Sequence, residues 1–195
     1  MKNIFIGLSV ILTSFVFAQE KEVILDKATQ IEIATHFLPE NEKEGAKVLG
    51  YSQDGEIEVL RESNSHLTCV ADDPRKEGLE YICYFNKLED FMQRGRDLKK
   101  EGKSSKEVRE IRQREIETGA LLFPEGQSIL YIFTGKEENI DVKTGSVIDG
   151  KLRYVVYTPY ATQLSTGLPL SPSAPGMPWL MDPGTHRAHI MITPS

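Results

Sequence analysis

The chain has 195 residues, with 23 Lys and Arg against 29 Asp and Glu, for a formal net charge of −6. That acidic balance argues against nucleic acid or an anionic membrane surface as the main partner. Hydrophobic residues make up 39%, enough for a buried core, and beyond the N-terminus no apolar run reaches the ~20 residues that a membrane helix needs.

The N-terminus speaks for export. Lys2 gives a short positive end, Ile4 to Phe17 is uncharged and mostly apolar, and Val16-Phe17-Ala18 is a small-x-small site of the kind signal peptidase reads. Residues 1–18 are expected to be a signal peptide cleaved between Ala18 and Gln19, leaving 19–195 as a single extracytoplasmic domain, periplasmic or secreted, with no membrane attachment. No cysteine follows the cleavage site, which argues against a lipid anchor. In an oxidising compartment the only two cysteines, Cys69 and Cys83, are expected to pair. Closing that loop is worth ~3 kcal/mol in the chain-entropy account. The spacing is not C-x-x-C, which argues against a thiolate metal pair or a redox centre.

Asp26 to Leu38 reads as a helix, with Ile31, Ala34 and Leu38 on one face, widened by Ile33 and Phe37, and Pro39 ending it. His36 in its last turn reads as a favourable charge at the negative helix end. Lys47 to Tyr51 and Glu56 to Arg61 read as a hairpin around Gln53-Asp54-Gly55, because Asp-Gly supplies the positive φ angles of a tight turn. Ile57 and Val59 are expected on its buried face. Two further strand-like runs, Leu67 to Val70 and Glu80 to Phe85, carry the cysteines. The acidic loop between them holds Asp72 and Asp73, in no EF-hand spacing, and reads as a solvated turn.

From 86 to 119 the character changes to a charged helical hairpin. Asn86 with Glu89, and Ser104 with Glu107, read as two capping boxes, and Gly119 as a C-terminal cap. Leu88, Phe91, Met92 and Leu98 form a narrow stripe on the first helix, and Val108, Ile111 and Ile116 a thin one on the second. The charged remainder is expected to be solvated, laced by pairs such as Glu110 with Arg114. The rest is β-like: Ser128 to Phe133, Leu152 to Tyr157, and Arg187 to Ile192, where Ala188, Ile190 and Ile192 share one face and Arg187, His189 and Met191 the other. Thr166 to Pro183, rich in Gly, Pro and Ser and carrying Trp179, reads as an ordered loop or lid. The expected fold is therefore α+β: a mainly antiparallel sheet of six to eight strands, an N-terminal helix and the inserted hairpin.

Several of these stretches resemble a family of secreted bacterial proteins of similar length. The matching pieces are Gly45-Ala46-Lys47-Val48-Leu49-Gly50, Val59-Leu60-Arg61-Glu62, Thr68-Cys69, Tyr154-Val155-Val156-Tyr157, and Ser165-Thr166-Gly167-Leu168-Pro169. The most specific is Pro178-Trp179-Leu180-Met181-Asp182-Pro183-Gly184-Thr185-His186-Arg187-Ala188-His189-Ile190-Met191-Ile192. The family is uncharacterised and has no known function, so the resemblance implies export but transfers no functional residue. The chain departs from the pattern before Cys69, where His66-Leu67 stands in place of glycines and an aromatic residue, which weakens any role for His66.

Chemistry concentrates at the C-terminus. Asp182, His186 and His189 are the candidate metal set, with zinc or copper as the ion that two imidazoles and a carboxylate would take. On a strand the odd offset puts the two rings on opposite faces, so one would have to turn at the loop. A metal-dependent hydrolase using these histidines is the runner-up reading. Serines such as Ser165, Ser171 and Ser173 lack the G-x-S-x-G elbow. No motif calls for a cofactor, and nothing concrete points to an enzyme. The preferred reading is a binding module outside the cytoplasm, with Trp179, Arg187, Tyr160 and Met181 toward a small molecule or an extracytoplasmic protein.

Overall fold

The computed structural model describes residues 24–141 and 144–194. The expected signal peptide and its cleavage site lie outside the described residues. Strands β1 (Lys47–Tyr51), β2 (Ile57–Arg61), β3 (Leu67–Val70), β4 (Leu79–Phe85), β5 (Ser128–Gly135), β6 (Lys151–Tyr157), β7 (Trp179–Met181) and β8 (His189–Ile192) form an eight-stranded sheet in the order β2-β1-β3-β4-β5-β6-β8-β7. Neighbours are antiparallel except β1 and β3. With helices α1 (Lys27–Thr35), α2 (Glu40–Lys43), α3 (Glu89–Lys100), α4 (Ser105–Glu117) and α5 (Gln163–Thr166), the fold is α+β, as the sequence predicts.

The middle of the sheet is covered on both faces. In β4, Leu79, Tyr81 and Cys83 join a core with Ile33 and Ala34 of α1, Leu67 and Phe133. The alternate residues, Ile82 and Tyr84, join Leu88, Leu130, Val155 and Tyr157 in a second core on the opposite face. A strand's period of two separates the cores, and each needs its own helical cover. α1 covers the first. Asp26 caps it, accepting from Ala28 N and Thr29 N at 2.9 and 3.1 Å. Buried Gln30 then treats β1 as a strand would: its Oε1 accepts from Tyr51 N and its Nε2 donates to Tyr51 O, both at 2.8 Å. Gly50 leaves room for this amide, since a Cβ there would lie 2.5 Å from Gln30 Oε1.

α3 and α4 belong to the second face. Tyr84 donates to Glu89 Oε2 at 2.7 Å, and Arg96 bridges Tyr84 Oη and Glu89, fixing α3 to β4. Arg94 grips Glu115 through two nitrogens, tying α3 to α4. The Ser104–Glu107 capping box is present. The one expected at Asn86 is not: Asn86 accepts from Thr68 Oγ1 and donates to Ser65 O, while Glu89 is spent on Tyr84 and Arg96. Glu110 meets Lys106 at 3.8 Å rather than Arg114.

Three other expectations change. In edge strand β2 it is Leu60 that is buried, while Ile57 and Val59 on the opposite side are exposed. α1 ends at Thr35, and His36 does not act as a helix-end charge. Burial lowers its pKa, its Nδ1–H donates to Ile33 O at 2.6 Å, and its ring stands edge-on to Phe133 at 4.5 Å. The Gly/Pro/Ser stretch contains β7, so Trp179 sits on a sheet edge rather than in a loop.

The Cys69–Cys83 bond joins directly opposed residues of β3 and β4, both fully buried in the first core. The Cys69→Ala/Cys83→Ala double variant is expected to lose about 3 kcal/mol, read as a lowered urea midpoint. An unchanged midpoint would show that the crosslink adds nothing to the sheet's own pairing.

Candidate functional site

β6 and β8 run side by side with Tyr157 opposite His189, and the turn before β8 carries His186. That turn is built by Asp182 (φ 50°) and Gly184 (φ 75°), with Thr185 Oγ1 donating to Asp182 O at 2.8 Å. His186 follows this turn, 1% exposed and in contact with Gln113 of α4. The ring lies edge-on to Phe91 and Phe123, at 5.8 and 5.3 Å. Phe123 in turn lies 5.5 Å from Tyr157.

Hydrogen bonding fixes the His186 tautomer. The Glu117 carboxylate accepts from Gln113 Nε2 at 2.5 Å, so Gln113 Oε1 faces the ring. That oxygen only accepts, so His186 Nδ1, 2.5 Å away, carries the proton. Nε2 is left with a lone pair, buried and without a partner among the described residues. Burial, then the Arg187 and Arg112 charges, push the pKa of His186 down to about 4. The imidazole is neutral at pH 7.

Four buried side-chain atoms lack a hydrogen-bond partner among the described residues: Arg112 Nε, Ser128 Oγ, Thr158 Oγ1 and His186 Nε2. Each is linked to Tyr157, by pairing, sequence, charge or an intervening ring. Ser128 is its cross-strand partner, Thr158 its chain neighbour, Arg112 acts on it electrostatically, and His186 reaches it through Phe123. Arg112 itself is held over the Phe91 ring at 3.8 Å and donates to Phe91 O at 2.9 Å, and burial lowers its pKa to about 10. Buried polar atoms are nearly always paired, with protein or with ordered water.

His186 and Thr158 line one pocket of about 710 Å³, with walls from Ile116, Leu121, Phe123, Pro124, Tyr160 and Ala161. Gln113 lines a second, of about 480 Å³, with Arg109, Arg114, Asp182 and Arg187. A third, of about 240 Å³, lies under α1 and includes Asp72, whose carboxyl burial raises to about 7.

The residues singled out from sequence are thus divided. Tyr160 and His186 share the first pocket, and Arg187 and Asp182 the second, where they pair at 3.1 Å. Trp179 and Met181 lie on β7, opposite Met191 and His189, and line none of the three pockets. His189 is buried, its Nδ1–H donates to Arg187 O at 2.7 Å, and its pKa is lowered by burial. Among the described residues no group of three or more His, Cys, Asp or Glu side chains is placed to hold a metal. The set of Asp182, His186 and His189 is not assembled as a zinc or copper site. Sequence reasoning passed over Arg112, Gln113, Phe123, Tyr157 and Thr158. Tyr157 stood in a recognised strand, but nothing local marks Arg112 and Gln113 apart from the other polar residues of α4.

Comparison of the chain with protein-family models, curated proteins and solved structures finds no match.

A histidine in an unfolded chain titrates near 6.5, against about 4 for folded His186. As pH falls the unfolded state takes the proton first. Neutral His186 therefore contributes its stability in full above pH 6.5, and that contribution is lost as pH falls through about 4. The stability gap between wild type and His186→Gln is expected to narrow across this window in urea titrations at each pH. A gap that stays constant would contradict the buried neutral imidazole.

Proposed function

We propose that the protein binds a small molecule, outside the cytoplasm, in the pocket between α4, the 119–127 segment and the 158–166 segment. The observation that carries this reading is the pocket itself, to whose wall the buried His186 and Thr158 contribute. A pocket of about 710 Å³ with mostly apolar walls and a few convergent polar atoms has the make-up of a small-molecule site. Its rim is apolar as well: Leu122 is 71% and Tyr160 59% exposed, an arrangement that folding alone does not favour.

Export is part of the proposal. The disulfide supports it, since such bonds persist in oxidising compartments, as does the N-terminal pattern of Lys2, the apolar run and Ala18. The resemblance to secreted bacterial proteins points the same way. Among the described residues no group of three or more His, Cys, Asp or Glu side chains could hold zinc or copper, and we do not favour that reading.

Native mass spectrometry of untagged protein from an exporting host tests both parts. A chain beginning at Gln19 with a non-covalent small-molecule adduct is expected. Ala161→Trp, which fills the pocket from its wall, should lose the adduct while keeping the disulfide and the circular dichroism spectrum of the wild type. An adduct that survives in Ala161→Trp would place the binding elsewhere, and a chain still carrying residues 1–18 would remove the export reading.

A further inference from the structure

The third pocket, of about 240 Å³, is lined by residues of α1, the end of β1, the start of β4 and the loops after β3 and β5. It shares no lining residue with the pocket beside His186. Ile33, Leu79 and Ile140 give it an apolar side, and Tyr51 and Tyr81 bring two rings. Two carboxyl groups complete the wall, Asp72 and Glu137. Backbone N–H groups on either side of Leu79 hold them in place. Asp72 Oδ1 accepts from Glu80 N at 2.7 Å, and Glu137 Oε1 from Gly78 N at 3.0 Å. The second oxygen of each makes no hydrogen bond, and neither carboxyl has a salt-bridge partner, among the described residues. Neighbouring Asp73, by contrast, is taken by Arg75 at 2.8 Å.

Tyr81 marks the same end of the pocket. It is 2% exposed, and its hydroxyl makes no hydrogen bond among the described residues. Burial, then the charges of Asp72 and Glu137, raise its pKa, so its oxygen lies within reach of both carboxyls. Tyr51, whose pKa is raised first by burial, also feels Asp72. Two carboxyls and two phenol oxygens thus converge on one small space with an apolar side. A carboxyl removed from water needs a proton or a cation. Burial raises the Asp72 carboxyl to about 7, with Glu137 and Asp73 adding to the shift and the Glu80 N–H and exposed Lys76 opposing it. α1 turns only the uncharged Gln30 and Ile33 toward it. Near neutral pH the group is therefore poised between taking a proton and taking a cation.

We propose that this pocket binds a small organic ammonium ion, with Asp72 and Glu137 as its counter-ions and its apolar body against Ile33, Leu79 and the two tyrosine rings. An ammonium carries donors for the unused carboxylate oxygens and a charge that aromatic faces accept. An anion would face two carboxyls. The volume lies below the ~300–1,000 Å³ of pockets for drug-sized ligands, which restricts the body to a few carbons or a single ring. Binding requires ionised Asp72, so it releases the proton that the free carboxyl holds. Affinity is full above the pKa of free Asp72 and is lost as pH falls through it.

The test uses benzylammonium, benzyl alcohol and benzoate, probes of nearly one shape, on the full chain with ¹³C-labelled Ile and Leu methyl groups. Benzylammonium is expected to bind at least about tenfold more tightly than benzyl alcohol at pH 8, the effect of one charge-assisted hydrogen bond. It should shift the methyl resonances of Ile33, Leu79 and Ile140, and bind roughly tenfold more weakly at pH 6 than at pH 8. Asp72→Asn keeps an acceptor for Glu80 N and removes the charge, so it should lose both the preference and the pH dependence. Glu137→Gln, at an exposed position, should reduce the preference and reads the same point if Asp72→Asn fails to fold. Equal binding of benzyl alcohol, tightest binding of benzoate, or an affinity that ignores pH would overturn the proposal. Displacement of benzylammonium by Ca²⁺ at equal concentration would overturn it in favour of an inorganic cation. If no probe moves the three methyl-bearing residues, the pocket is not a ligand site.

Discussion

The central strands must bury side chains on both faces, and the rest of the architecture answers that constraint. β4 alternates Leu79, Tyr81 and Cys83 with Ile82 and Tyr84, so no arrangement with one wet face accommodates it. α1 closes one side through Ile33 and Ala34, with the Gln30 amide locking its position against Tyr51. The hairpin closes the other, and the Tyr84–Glu89–Arg96 network sets where α3 lies. A helical pair that looks like a charged insertion in the sequence is the second cover of the sheet. Its charges are divided between solvent and a few interhelical contacts such as Arg94 with Glu115.

The same constraint explains where the site falls. Over β4 and β5 the second core is apolar: Leu88, Leu130, Val155 and Ile132. Toward Tyr157 the neighbours become more polar: Arg112 and Gln113 of α4 and the 182–187 turn, with Ser128 of β5, Thr158 after β6 and His189 of β8. An unpaired buried polar atom costs ~1–3 kcal/mol, and a fold with net stability of ~5–15 kcal/mol has little room for several. None of the four residues that carry such atoms is among the residues of the core around α1 and β4.

Local chemistry was legible where a residue's role depends on its sequence neighbours. Asp54-Gly55 made its turn, Ser104 its capping box, Asp26 its helix start, and the composition of Leu152 to Tyr157 its strand. Legibility failed where the role depends on which side of the sheet is covered. Ile57 and Val59 alternate as buried residues should, but β2 is an edge and the buried side there belongs to Leu60. Trp179 sits among glycines and prolines, and its strand exists because β8 offers an edge to pair with. The site followed this division. The Asp182 turn and the placement of His186 could be read from Asp-Pro-Gly-Thr, whereas the partner that sets the histidine's tautomer is 73 residues earlier, on a helix whose polar residues all look alike.

The electrostatics of the site are best understood as the maintenance of a lone pair. His186 could satisfy its burial by taking a second proton only if an acceptor stood at Nε2, and none does among the described residues. Arg187 and Arg112 raise the cost of that proton further, while Gln113 keeps the one proton on the far side of the ring. Arg112 has traded hydration for the face of Phe91 and its carbonyl, a substitution that suits a planar, weakly hydrated guanidinium better than it would an ammonium. Two arginines and an amide are thus arranged around one histidine so that it remains an acceptor well below neutral pH. A histidine serving only to fill space beside Phe91 and Phe123 would need none of them, and an apolar side chain of similar size would avoid the unpaired nitrogen altogether. The arrangement accounts for a histidine that stays neutral in the core with one bare nitrogen.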